Sequence, residues 1–323
     1  MTKPSGTQPS RTQPSLAQPS SVQPPRTRPR IGLLGTGPWA RSTHAPALAA
    51  HPEIEFSGVW GRRREAADEL AAEHGTTAYD EVDALLAASD AVAVALPPDI
   101  QAPLAARAAA AGCHLLLDKP VATTVAGARD VVAAAERSGV ASVVFCTLRF
   151  TPGVAEWIAG QAAVDGWFTG RAEWLGALFS PGADSPYAAS PWRREKGGLW
   201  DVGPHALSVL LPVLGDATEV TAAGGAEDTV QLALRHTSGA SSSATLSLSA
   251  PARAAGTTVE FRGAHGVAVL PERRGGGARV PFAAAVDALL AAVRTGEPHP
   301  CDVRFGLRLT EILAEAEQQL TGK

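Results

Sequence analysis

Three residues of this chain have side chains suited to work on a substrate oxygen and its proton. Lys119 stands in Leu117-Asp118-Lys119-Pro120, at the end of a short apolar run. Asp201 and His205 are four residues apart in Lys196-Gly197-Gly198-Leu199-Trp200-Asp201-Val202-Gly203-Pro204-His205. A carboxylate beside an imidazole can orient the ring and raise its basicity, which suits general acid–base work. The spacing predicts both on one face of a helix beginning near Asp201, with Pro204 tolerated in its first turn. Taken alone, the pair also fits a helix cap and a surface histidine.

A second constellation explains where Lys119 would act. Gly35-Thr36-Gly37-Pro38-Trp39-Ala40 reads G-x-G-x-x-A between an apolar run at 30–34 and a helical pattern at 39–50. That context suits dinucleotide binding. Gly35 permits the tight turn, Gly37 lets the backbone approach a pyrophosphate, and Ala40 lets helix and strand pack closely. The next strand ends Val59-Trp60-Gly61-Arg62-Arg63-Arg64, with no carboxylate for a ribose 2′-hydroxyl and with guanidiniums able to hold a 2′-phosphate. NADP(H) is therefore the expected cofactor, with NAD the second choice. Gly61, Arg62, Arg63, Leu96, Pro97 and Lys119 are expected to join residues 35–40 around it. A lysine at the carboxyl end of a parallel strand reaches the ligand crevice, where a substrate oxygen would lie beside the nicotinamide.

The elements that must position these residues follow from pattern. Strand-like runs at 30–34, 54–60, 91–96, 114–117 and 140–146 alternate with helical stretches at 39–50, 62–74, 100–111 and 123–138, several closed by glycine. This predicts βαβ units and a doubly wound parallel sheet. Beyond Arg149 the texture changes. Helical signal at 152–162 and 202–214 is followed by alternating runs at 229–236 and 241–250 around a Thr237-Ser238-Gly239 turn, then by 257–262 and 266–270 around Gly263, and by a last helix at 302–320. One-face alternation predicts an open, mainly antiparallel sheet backed by helices. The 323 residues thus divide into a Gln/Pro/Ser-rich tail (1–29) expected to be disordered, a Rossmann domain (30–148), and a substrate-binding and oligomerisation domain (149–323).

Composition narrows the partners. Hydrophobic residues make up 45%, charged residues 19%, and the net charge is −4. No basic excess points to nucleic acid. Cys113, Cys146 and Cys301 have no zinc-ligand spacing, so no metal is expected, and buried reduced thiols fit a cytoplasmic protein. No apolar run is long enough for a membrane span, and the N-terminus lacks a secretory apolar core. His44 reads as a packing or surface residue, Trp167 and Trp174 as sheet packing, and Trp192-Arg193-Arg194-Glu195-Lys196 as a substrate lid or a solvated loop.

Together these motifs resemble the Gfo/Idh/MocA oxidoreductases over about residues 30–320. The matching pieces are Gly35–Ala40, Asp118-Lys119-Pro120 for the family's Glu-Lys-Pro, the glycine-rich lead into Asp201…His205, and Arg149-Phe150-Thr151-Pro152 for its Arg-Phe-x-Pro junction. The resemblance implies hydride transfer between nicotinamide C4 and a carbon–oxygen centre of a sugar, cyclitol or similar polyol. Lys119 would hydrogen-bond the reacting oxygen, His205 pass the proton, and Asp201 orient or assist. Arg149 and Trp192 join these three as expected substrate contacts. It also implies a homodimer or homotetramer formed through the open sheet face. Two departures stand out: Ser208 where the family often has Asp, and Gln101 where it often has His. Other readings of the scaffold are an imine or tetrapyrrole reductase, or a cofactor-sensing regulator without chemistry.

Overall fold

A computed structural model describes residues 1–2, 28–272 and 277–322. The expected tail at 1–29 lies almost wholly outside the described residues.

The apolar runs of the first half become strands, most of them buried on both faces. They are β1 (Arg30–Leu34), β2 (Glu55–Trp60), β3 (Ala78–Tyr79), β4 (Ala91–Val94), β5 (His114–Asp118) and β6 (Ser142–Phe145). Every residue of β4 and β6 is buried, which only helices on both sides of a sheet allow. All pairings are parallel, in the order β3-β2-β1-β4-β5-β6. The connecting helices are α1 (Ala45–Ala50), α2 (Arg64–Glu73), α3 (Val82–Ala87), α4 (Pro98–Ala110) and α5 (Val125–Ser138). A π-helical turn at Ala40–His44 leads into α1. The termini of α5 show the local code: the Thr124 side chain accepts from the Gly127 N–H, and Gly139 closes the helix in the left-handed region. Strand order reverses between β1 and β4, the place where an open α/β sheet leaves a crevice at its carboxyl edge.

The second half builds a mixed sheet from β7 (Trp167–Leu175), β8 (Ala217–Gly224), β9 (Val230–His236), β10 (Ser241–Ser247), β11 (Gly256–Gly263) and β12 (Gly266–Val269), ordered β12-β11-β7-β10-β9-β8. Only β7 and β10 run parallel; the other neighbours are antiparallel. Along β9, Val230, Leu232 and Leu234 are buried and alternate with exposed residues, as the period-two pattern predicts. The helices here are α6 (Val154–Ala162), α7 (Pro191–Asp201), α8 (Gly203–Leu214), α9 (Arg279–Thr295) and α10 (Val303–Thr321).

Three features depart from the sequence reading. Residues 192–196 belong to helix α7, not to a loop. Asp201 ends α7 and His205 lies in the first turn of α8, so the pair does not share one helix. The glycines on either side explain this: Gly197 takes φ 60° and ψ −160°, a break inside α7 that a side chain would strain, and Gly203-Pro204 restarts the chain as α8. Finally, β3, α3, β8 and α9 lie outside the elements that the sequence pattern predicts. Helix α9 brings Phe282, Ala285, Val286 and Leu289 into the apolar cluster that holds Ile31, Leu33, Leu116 and Phe145 of the first sheet.

Candidate active site

The phosphate-loop residues form one wall of a cavity of about 840 Å³. Gly35 has φ 126°, its N–H donates to the Trp60 carbonyl at 2.8 Å, and a Cβ there would stand 2.4 Å from the Ala95 carbonyl oxygen. Only glycine makes that turn between β1, β2 and β4. A Cβ on Gly37 would meet nothing within 4 Å, so the loop backbone opens directly onto the cavity. Thr36, Gly37, Pro38, Trp39, Gly61, Arg62, Arg63, Leu96, Pro97 and Lys119 all line it, whereas Gly35 and the fully buried Ala40 lie behind the wall. The three arginines after β2 part company. Arg64 pairs with Asp68 at 2.9 Å and also with Asp80. Arg62 and Arg63 are exposed at the rim and, among the described residues, have no ion-pair partner.

Lys119, Asp201 and His205 meet on the same cavity, brought there by β5, α7 and α8. The Lys119 ammonium donates to Asp201 Oδ1 at 2.9 Å and to the Asp201 carbonyl at 2.6 Å. Arg193 Nε donates to Asp201 Oδ2 at 3.1 Å. Burial pushes the Asp201 carboxyl up, but the charges of Lys119 and Arg193 outweigh it and hold the group at about 2. Asp201 is therefore a carboxylate at neutral pH, clamped between two cations. The His205 ring stacks on Trp174 with centroids 4.6 Å apart and planes 14° apart. Ser208 does not face the cavity: it is fully buried, and its hydroxyl donates to the His205 carbonyl at 2.8 Å.

Asp118, beside Lys119, has the opposite surroundings. Trp39 Nε1 donates to its Oδ1 at 3.3 Å, and His44 Nε2 stands 3.7 Å from Oδ2. Burial raises this carboxyl to about 7, although Lys119 pulls it down. Burial also lowers His44 to about 3, so the imidazole is neutral at working pH and packs 4.1 Å from the Phe282 ring. His44 is thus a core residue aimed at the site, not a surface one. Gln101 sets the backbone of the whole segment. Its Nε2 donates to the carbonyls of Asp118 at 2.8 Å and Pro120 at 3.0 Å, and its Oε1 accepts from the Asp118 N–H at 3.0 Å.

Two expected substrate contacts separate. Trp192 lines the cavity, but Arg149 does not. The Arg149 guanidinium donates to the Ser208 carbonyl at 3.3 Å and lies 5.9 Å from the Phe305 ring, so it ties the junction to α8 and α10. Trp174, Tyr187, Arg193 and Asp118 also line the cavity; of these the sequence points only to Arg193, through the segment 192–196 expected as a substrate lid or a solvated loop. For Asp118 the available signal is its neighbour Lys119. Trp174 was read as sheet packing because an inward position on a strand looks the same whether it faces a core or a cleft.

Comparison with known proteins agrees with this architecture. Residues 29–145 match the family model described as "Oxidoreductase family, NAD-binding Rossmann fold" of GFO_IDH_MocA, and residues 170–269 match the GFO/IDH/MocA C-terminal domain. Among curated proteins, the chain is 34% identical to D-apiose dehydrogenase of Paraburkholderia graminis, over 51% of this chain and 46% of that protein. It is 32% identical to dTDP-3,4-didehydro-2,6-dideoxy-alpha-D-glucose 3-reductase of Streptomyces violaceoruber, over 62% and 59% respectively. The matched stretches thus span about half the length of these relatives. An oxidoreductase domain protein from Kribbella flavida shares the fold with a TM-score of 0.81 at 23% identity, covering 92% of this chain and 98% of that one.

Proposed function

The chain belongs to the Gfo/Idh/MocA oxidoreductase family, and on that premise we propose that it moves a hydride between nicotinamide C4 and a C–OH or C=O centre of a sugar, cyclitol or similar polyol. The observation that carries this reading is convergence. Lys119 from the edge of the parallel sheet, and Asp201 and His205 from the second half of the chain, open onto the cavity that the phosphate loop also lines. The loop suits a dinucleotide: its backbone at Gly37 is open on the cavity side, and Arg62 and Arg63 stand at the rim. When bound, the nicotinamide supplies the hydride donor or acceptor. Every other task falls to the chain. Lys119 donates a hydrogen bond to the reacting oxygen and stabilises charge that develops there. Asp201, ionised and clamped, holds the Lys119 ammonium in place. His205, its ring plane set by Trp174, takes or returns the proton at that oxygen.

NADP(H) is the preferred cofactor in this reading, since Arg62 and Arg63 keep their guanidiniums available for a 2′-phosphate while Arg64 is committed to Asp68 and Asp80. The protein acts in the cytoplasm, where its three buried, unpaired cysteines suit a reducing compartment. It assembles as a homodimer or homotetramer through the second sheet, whose β7 and β12 expose Phe168, Val267 and Val269; a monomer by light scattering would overturn this.

The test of function is a screen of sugars, inositols and keto-sugars with each cofactor, following the absorbance of the reduced nicotinamide. Turnover is expected with at least one polyol or keto-sugar, with a KM for NADP about tenfold or more below that for NAD. No turnover across the panel despite measurable NADPH binding would turn the reading to a cofactor sensor.

A further inference from the structure

Arg193 gives the cleft a cationic fork that the reaction above leaves unused. Its Nε is held by Asp201 Oδ2 at 3.1 Å, and its guanidinium lies 5.4 Å from the Tyr187 ring centre and 4.7 Å from that of Trp192. Among the described residues, Nη1 and Nη2 take part in no hydrogen bond. Arg193, Tyr187 and Trp192 all line the cavity that holds Lys119 and His205. A guanidinium fixed through Nε and through its faces has lost most of its rotamer freedom before any ligand arrives. The edge it leaves open is the one a carboxylate takes with two parallel hydrogen bonds.

Charge balance points the same way. Lys119 and Arg193 bring two positive charges to the one carboxylate of Asp201. The other acid on this wall, Asp118, is pushed up to about 7 by burial, so near neutral pH it offsets only part of that surplus. A surplus positive charge partly withdrawn from water favours an anion over a neutral hydroxyl.

We propose, resting on the hydride-transfer reading, that the substrate carries a carboxylate, as a hexuronic or aldonic acid does, and that Arg193 receives it on Nη1 and Nη2 while the reacting carbon–oxygen centre lies against Lys119 and His205. Arg193 is then the residue that separates sugar acids from neutral sugars.

The test uses the full chain saturated with NADPH and titrated calorimetrically with D-glucuronate, D-galacturonate and D-gluconate, each against its uncharged counterpart D-glucose, D-galactose or D-glucitol. At least one acid is expected to bind tenfold or more tighter than its neutral partner. Arg193→Gln should erase that difference, and Arg193→Lys, which keeps the charge without the fork, should retain part of it. Neutral sugars binding as tightly as the acids, acids bound equally well by Arg193→Gln, or no acid bound by the wild type would each overturn the inference. If Arg193→Gln does not fold, the wild-type selectivity and the Arg193→Lys variant decide alone. Cofactor binding, read separately from NADPH fluorescence, keeps the two readings apart. NADPH bound with no preference for acids sinks the Arg193 fork only. Acids bound by the chain titrated without cofactor, where fluorescence shows no NADPH binding, sink the hydride reading and leave the fork in place.

Discussion

Asp118, partly buried, and Asp201, buried, are two carboxyls lining one cavity, and their neighbours drive them in opposite directions. Asp201 meets two cations and stays ionised down to about 2; Asp118 meets an indole N–H and a neutral imidazole, and burial holds its proton up to about 7. The consequences for stability have opposite signs. Asp201 stabilises the fold above the ordinary carboxyl range, and that contribution is lost as pH falls from about 4 to about 2. Asp118 costs nothing below about pH 4, where folded and unfolded chains both keep its proton. Above that the unfolded chain ionises first, so the cost grows until about pH 7 and then levels off. Asp118→Asn should therefore raise the unfolding midpoint at pH 8, by the equivalent of about 1–3 kcal/mol, and leave it nearly unchanged at pH 4. Thermal melts at the two pH values check this, and equal shifts at both would contradict it. For chemistry the informative residue is Lys119. Lys119→Ala should lower kcat by about a thousandfold or more while the Kd for NADPH changes by no more than about threefold; steady-state rates and a fluorescence titration separate the two.

At the scale of elements, the site depends on two backbone segments that polar side chains hold in shape. Gln101, at the start of α4, satisfies the carbonyls of Asp118 and Pro120 and the N–H of Asp118. Replacing it by Leu leaves these groups buried without partners, and each costs about 1–3 kcal/mol. Gln101→Leu should lower both the unfolding midpoint and kcat, the second because a displaced Lys119 loses its aim. A variant with unchanged kcat would show that Lys119 is positioned by other means. Asp228 does the same for the break in α7: its carboxylate accepts from the N–H groups of Gly198, Leu248 and Ser249 at 2.8, 2.9 and 3.0 Å. This contact fixes the angle between the arm that carries Arg193 and the turn that carries Asp201, and it lashes both to the end of β10.

At the scale of the molecule, the end of the chain completes the domain that begins it. Helix α9 lays Phe282, which is fully buried, against Phe145 and His44, and α10 packs on α5 as well as on β8. Phe282→Ala should cost about 3–5 kcal/mol by denaturant unfolding, and the loss should appear in one transition shared by both sheets, not in a melt of the second alone. A fragment ending at residue 150 lacks this cover, and by circular dichroism it should fail to form a stable fold.

The glycine turn, the parallel-sheet texture, the alternation in β9 and β10, and the Lys-Pro and Asp-x-x-x-His motifs were all legible in the amino-acid order. Each depends on local conformational limits or on a short hydrophobic period, which neighbouring residues set among themselves. Sequence spacing misled at Asp201 and His205, because a four-residue interval implies one helix only when the backbone between is helical, and Gly203-Pro204 starts a new one. The rest was decided by tertiary structure. That Trp174 faces His205, that Arg149 turns away from the cavity, and that α9 returns to the first sheet are contacts between segments tens to hundreds of residues apart, and Arg193 reaches Asp201, eight residues on, across the break at Gly197. No local preference encodes them. They follow from which apolar faces were still uncovered when the elements packed, and from where that packing left charged groups to find one another out of water.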